Sequence, residues 1–195
     1  MNKLTVVMVL CCAAIPGCFW TNAPDSGGAI GTNNTNQTAD GKLVFITRAK
    51  FGGNLGGLAG ADSKCAVAAS AAGFPGKFIA YLSTITVNAA SRVTGSGPWN
   101  NTKGQRVFDA GAARWAGFPK ATILDDSGKL AESYWTGSEG QGTSSLLHCN
   151  NWTEGLNDFA QGTLGNPLSN DGGWITFGVG SCARSPSALI CLQND

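Results

Sequence analysis

The chain has 195 residues, 43% of them apolar, which is enough for one domain of ordinary size with a real core plus appendages. Thirteen basic side chains against twelve acidic ones leave a formal net charge of +1, which argues against an electrostatic partner such as nucleic acid. Glycine is abundant at 28 residues and charged residues make up only 13%, a balance that fits a loop-rich extracellular surface better than a helical cytosolic enzyme.

The opening MNKLTVVMVLCCAAIPGC has one positive residue, Lys3, before an apolar run from Leu4 to Ile15. That run is too short for a membrane span and right for the core of a signal peptide. It ends in Ile15-Pro16-Gly17-Cys18, which resembles a bacterial lipobox: an aliphatic residue, a small residue, then the cysteine that receives the lipid. Residues 1–17 are therefore expected to be a lipoprotein signal peptide. Cys18 would become the acylated N-terminus and hold the exported chain in the bilayer of the outer membrane, at the cell surface. Pro16 is unusual in a lipobox, and ordinary signal cleavage near Ala23 is the alternative. Residues 18–40, rich in Gly, Asn and Thr with hardly any periodic apolar positions, cannot offset ordering entropy and read as a flexible tether.

The folded domain, residues 41–195, begins after Asp40-Gly41 with KLVFITR, Lys42 to Arg48, a β-branched and aromatic first strand. A glycine-rich turn follows. Ala61, Cys65, Ala68, Ala69 and Ala72 then fall at i, i+4, i+7, i+8 and i+11, one face of a helix. Asp62 is expected near its positive end, and Gly73 with Phe74-Pro75 supplies its stop. Lys77 to Thr84 is a second strand, and VNAASRVT a short helix or turn. Residues 95–129 read as turns broken by short apolar pieces, with little regular structure. Glu132 to Ser138 is a third strand candidate and Leu146 to Trp152 a fourth. GGWITFGVGSC and SALICLQ complete an expected antiparallel set. Early helix, few crossovers and several short strands argue for an α+β fold over a doubly wound sheet.

Cys65, Cys149, Cys182 and Cys191 remain for the domain, an even number that implies two disulfides in an exported chain. Spacing alone leaves all three connectivities open. The short Cys-x-x-Cys pairs of a zinc site are missing, and the one histidine, His148, has no partner at metal spacing. A Ser-His-Asp triad would have to use His148, and glycoside hydrolysis would need two facing carboxylates from a chain with three glutamates in no recognisable frame. The expectation is a protein that is not an enzyme and uses no cofactor. Among six tryptophans, Trp135 and Trp152 sit in strand-like contexts and read as core. Trp99 follows GSGP and Trp174 follows NDGG, so each is a candidate ligand-binding side chain projecting from a loop.

GLAGADSKCAVAASAAGFPGKFIAYLS resembles the first helix and second strand of endostatin, the C-terminal module of a basement-membrane collagen. YWTGS, HCNNWTE and SCARSPSALICL follow in the order of its Trp-x-Gly-Ser strand, its Cys-x-x-Trp and its two last cysteines, so the resemblance covers about residues 42–193. Among bacterial proteins the chain is similar to the leptospiral endostatin-like surface lipoproteins. The resemblance implies a C-type-lectin-like (endostatin-like) fold, a mainly antiparallel twisted sheet with one main helix and long loops. It also implies nested disulfides, outer Cys65–Cys191 and inner Cys149–Cys182. It further implies a non-enzymatic adhesin that binds host extracellular-matrix proteins such as laminin or fibronectin, or a complement regulator or plasminogen. The calcium-binding lectin loop does not carry over, because Gly165-Asn166-Pro167-Leu168 lacks the carboxylate. A calcium-independent carbohydrate-binding module, with loop tryptophans as stacking platforms, and a structural envelope protein are the other readings.

Overall fold

The computed structural model describes residues 41–111, 115 and 117–195. The expected signal peptide, Cys18 and the tether lie outside the described residues. Among the described residues no helix is long and apolar enough to cross a membrane.

The structure is α+β, with few helices, a mixed and mainly antiparallel sheet, and two disulfides. In chain order come β1 (Lys42–Ile46), α1 (Gly57–Ala71), β2 (Lys77–Ala80), the single turn α2 (Ala89–Arg92), β3 (Trp99–Asn100) and β4 (Arg106–Phe108). Then follow β5 (Tyr134–Trp135), β6 (Ser138–Glu139), β7 (Thr143–Ser144), β8 (Gln161–Gly165), β9 (Gly178–Ser181) and β10 (Ala188–Asn194). The sheet runs β4-β3-β1-β10-β5-β8-β9, β2 also lies against β10, and β6 and β7 form a separate small hairpin.

β10 is the centre of the sheet. One edge takes β1, with Phe45 opposite Cys191. The other takes β5 in parallel at Ala188 and Leu189, then β2 antiparallel from Cys191 to Asn194. The β10–β5 and β1–β3 pairs are parallel and the other pairs antiparallel, so the sheet is mainly antiparallel, as expected. Successive side chains of a strand face opposite ways. Leu43, Phe45, Leu189 and Cys191 therefore join one core layer, and Val44, Ile46, Ala188, Ile190 and Leu192 the other. A strand covered on both faces needs no polar alternation, which explains the unbroken apolar run ALICL.

The first layer holds α1, which buries Ala61, Cys65 and Ala69 at i, i+4 and i+8. These small side chains let the helix lie close, and Cys65 reaches Cys191 with the two Cα atoms 5.6 Å apart. Gly73 stops the helix with φ +75°, a conformation glycine adopts without strain. Asp62 is not in the first turn, as expected, but in the second. Its carboxylate accepts Ala80 N at 2.9 Å and both oxygens meet Arg92, at 2.8 and 2.6 Å, so it ties α1 to β2 and α2 instead of compensating the helix dipole.

The second layer is aromatic. Tyr81, Phe108, Trp115 and Trp174 pack with ring centroids 4.8 to 6.1 Å apart. Trp99 lies beside Trp115 at 5.8 Å, and its Nε1 donates to Gln193 O at 2.9 Å. Trp99 is 0% exposed and Trp174 is 1% exposed, which overturns their expected projection from loops. The glycines before Trp174 do make a turn, Gly172–Trp174, but it folds the indole inward. Burying an indole of this size gains far more than presenting it to water.

Tyr134 sits in the same layer and donates to Trp174 O at 2.7 Å. Burial, and then the neighbouring Tyr81, pushes its phenol well above the ordinary value of 10.0. A raised folded-state value means that the stabilising contribution is fully present below about pH 10 and is lost as the pH climbs beyond it. In a Tyr81→Phe variant, near-ultraviolet titration is expected to show no phenolate until the fold itself is lost at alkaline pH. A smooth titration near 10.0 with circular dichroism unchanged would contradict this.

Residues 95–129 hold only the short β3 and β4 among the described residues, in keeping with the little regular structure expected there. Two further expectations are corrected. The strand expected over Glu132–Ser138 is only the two-residue β5, with Ser138 passing into β6. Leu146–Trp152 is not a strand: it touches the sheet through one bridge, His148 to Gly162, and then turns left-handed.

Candidate functional site

The left-handed turn is the least ordinary backbone in the described residues. Cys149, Asn150, Asn151 and Trp152 have φ of 49°, 52°, 56° and 66°, with Trp152 N donating to His148 O at 2.8 Å. L-residues pay roughly 1–2 kcal/mol each for this hand, so several contacts must hold the turn together. His148 Nδ1 accepts Asn151 N at 2.9 Å, and Asn151 Oδ1 accepts Ile85 N at 3.0 Å. Trp152 Nε1 donates to Ser83 O at 2.7 Å, and Leu55 N donates to Trp152 O at 2.9 Å. Cys149 is bonded to Cys182, Cα to Cα 5.6 Å. Among residues with a side chain asparagine is one of the most tolerant of this conformation, and Asn150 and Asn151 occupy the middle of the turn.

The turn and its disulfide are the footing of the next loop, residues 153–160. The Glu154 carboxylate accepts Leu156 N at 2.7 Å and Asn157 N at 2.9 Å. Asn157 Oδ1 accepts Phe159 N at 2.9 Å, and Ala160 O accepts Cys182 N at 2.9 Å. Asp158 pairs with Arg184. These bonds fix the backbone of a loop whose two large apolar side chains, Leu156 and Phe159, are each 93% exposed. Those same backbone bonds hold Glu154 below its ordinary value of 4.5, with residual desolvation opposing them. A depressed folded-state value leaves the brace intact above about 4.5 and removes it only as the pH falls through the lowered value.

Of the residues singled out from sequence, the four cysteines are brought together as two bonded pairs, and Trp135 and Trp152 are core neighbours at 5.8 Å. Trp99 and Trp174 are in the opposite layer, and all five described tryptophans are buried. The carboxylates nearest in sequence to the lectin-like calcium loop each have another partner: Glu154 braces its own loop, Asp158 pairs with Arg184 and Asp171 accepts Gly173 N at 2.9 Å. His148 uses Nδ1 as a backbone acceptor, so no carboxylate orients it as a catalytic base would require. Its Nε2 is buried with no hydrogen-bond partner among the described residues.

Sequence reasoning passed over Leu156 and Phe159. The turn chemistry of Glu154, Gly155, Asn157 and Asp158 marks a loop, but nothing local tells whether an apolar side chain in a loop points in or out. No protein-family model matches the chain, and no curated protein is significantly similar to it.

Proposed function

We propose that the chain is a non-enzymatic binding module with a C-type-lectin-like, endostatin-like domain, exported and lipid-anchored to the outer membrane through Cys18. Its 154–160 loop docks on a host extracellular-matrix protein such as laminin or fibronectin, or on a complement regulator or plasminogen. The supporting observation is the pair Leu156 and Phe159, each 93% exposed on a loop braced from within. An apolar anchor already held in its binding geometry loses little entropy on docking. Burying both side chains against a partner is worth about 3 to 5 kcal/mol, roughly two to three and a half decades of affinity. The α+β architecture and the two nested disulfides agree with the family resemblance noted in the sequence.

The test is a binding panel of these matrix and plasma proteins against the wild-type chain and a Leu156→Ser/Phe159→Ser variant. Wild type is expected to bind at least one ligand saturably. The variant should lose about a hundredfold or more in affinity while its melting temperature stays near wild type, since both positions are exposed. Full binding by a folded variant would remove the loop from the interface, and no binding by wild type to any ligand would sink the adhesin reading.

A further inference from the structure

α1 carries a second apolar stripe besides the one on the sheet. Gly60, Lys64, Val67, Ala68 and Ala71 recur at i, i+4, i+7, i+8 and i+11, and they wall a groove of about 520 Å³ whose other side is Ala49 and Phe51. A solvent-facing helix face is normally charged or polar. This one offers water mainly methyl groups and a ring, and Val67 is 70% exposed. The volume lies within the range of small-ligand sites.

Charge at the rim is asymmetric. Asp126, whose side chain is only 7% exposed, is the one carboxylate in the lining, and it is already paired with Arg48. Lys64 remains: its Nζ donates one proton to Leu55 O at 3.0 Å and stands 5.6 Å over the Phe51 ring. An ammonium has three donors, so capacity is left for an anion. Asp125 fixes the turn that places Asp126. Burial would raise its carboxyl, but bonds from Lys129 N and from Ser127 N and Oγ, with the Arg48 charge, bring it below the ordinary 3.8.

We propose that this groove binds a small anionic amphiphile, a medium-chain carboxylate, with its chain on Phe51, Val67, Ala68 and Ala71 and its head at Lys64 and Arg48. The site shares no lining residue with the 154–160 loop, so it stands or falls separately from the matrix-binding reading. The cationic rim rejects a positively charged head on the same chain.

Calorimetric titration of the full chain with dodecanoate below its micelle concentration is expected to give one saturable site. Dodecyltrimethylammonium should bind at least about tenfold more weakly. Ala68→Trp fills the groove and should abolish binding. Lys64→Gln should weaken dodecanoate about tenfold and leave dodecanol unaffected. Absence of dodecanoate binding, equal binding of the two head groups, or undiminished binding by a folded Ala68→Trp variant each overturns the proposal. Should Ala68→Trp fail to unfold cooperatively, Val67→Glu decides at an exposed position. Loss of dodecanoate binding there supports the groove, and unchanged affinity refutes it.

Discussion

Replacing Cys65 and Cys191 together by alanine lowers the unfolding free energy by about 4 to 5 kcal/mol in the chain-entropy account. The bond spans a sequence separation of 126, against 33 for Cys149–Cys182, whose removal should take about 3 to 4 kcal/mol. Cys65 and Cys191 are also 0% exposed, so deleting their sulfurs leaves a void that adds to the loss. A domain of this size has roughly 5–15 kcal/mol in total, so the outer variant sits near the limit of folding. Urea unfolding of the two double-alanine variants measures both numbers. The entropic ranking fails if the inner pair proves the more costly to remove.

Gly53→Ala is expected to destabilise by about 2–3 kcal/mol, through overpacking alone. The backbone at Gly53 is one any residue can adopt, so left-handed strain has no part in it. Space is what forbids a side chain. A Cβ there would stand 2.4 Å from Cys149 Sγ, 2.6 Å from Cys182 Cβ and 2.6 Å from Glu154 O. None of these atoms is a flexible tip: two belong to the disulfide, and the third is backbone at the root of the 153–160 loop. Gly53 N also donates to Cys182 O at 2.7 Å, so the segment cannot retreat without breaking that bond. The variant should consequently release thiol faster than wild type when challenged with dithiothreitol, and show a lower unfolding midpoint. Gly172→Ala is the control, since a Cβ at Gly172 meets nothing within 4 Å, and it should lie within about 0.5 kcal/mol of wild type. Equal stability of the two variants would contradict the close approach at Gly53.

The elements legible in the sequence were those that bury a long periodic face. β1 and β2 fall inside the expected segments, β10 runs one residue past its own to Asn194, and α1 buries the expected face but starts at Gly57, within the expected glycine-rich turn; the apolar spacing of all four is set by the layers they join. β8 escaped notice for a long-range reason. Its Gly162 and Gly165 leave room for the rings of Trp135 and Tyr134, which a Cβ would approach to 2.8 and 2.5 Å. Glycine in a strand otherwise signals weakness, and only the distant aromatics make sense of it. The Leu146–Trp152 error has a different source. LLHCNNW has strand-like composition, and the left-handed turn is imposed by contacts from Leu55, Ser83, Ile85 and Cys182, all remote in sequence. As for the site, its loop was legible and its exposed anchors were not. The tryptophans near turn glycines drew attention to side chains that the fold buries.

The central place of β10 also governs the order in which the domain can assemble. Ile46 has to wait for Ile190 and Val44 for Leu192, while β2 and β5 need the same strand from its other side. Until residues 188–194 are available, β4-β3-β1 and β5-β8-β9 can each pair among themselves, but no strand joins the two halves of the sheet or gives β2 a partner. Such dependence on distant contacts makes for slow closure. The two halves of the sheet become one only when β10 slides between β1 and β5.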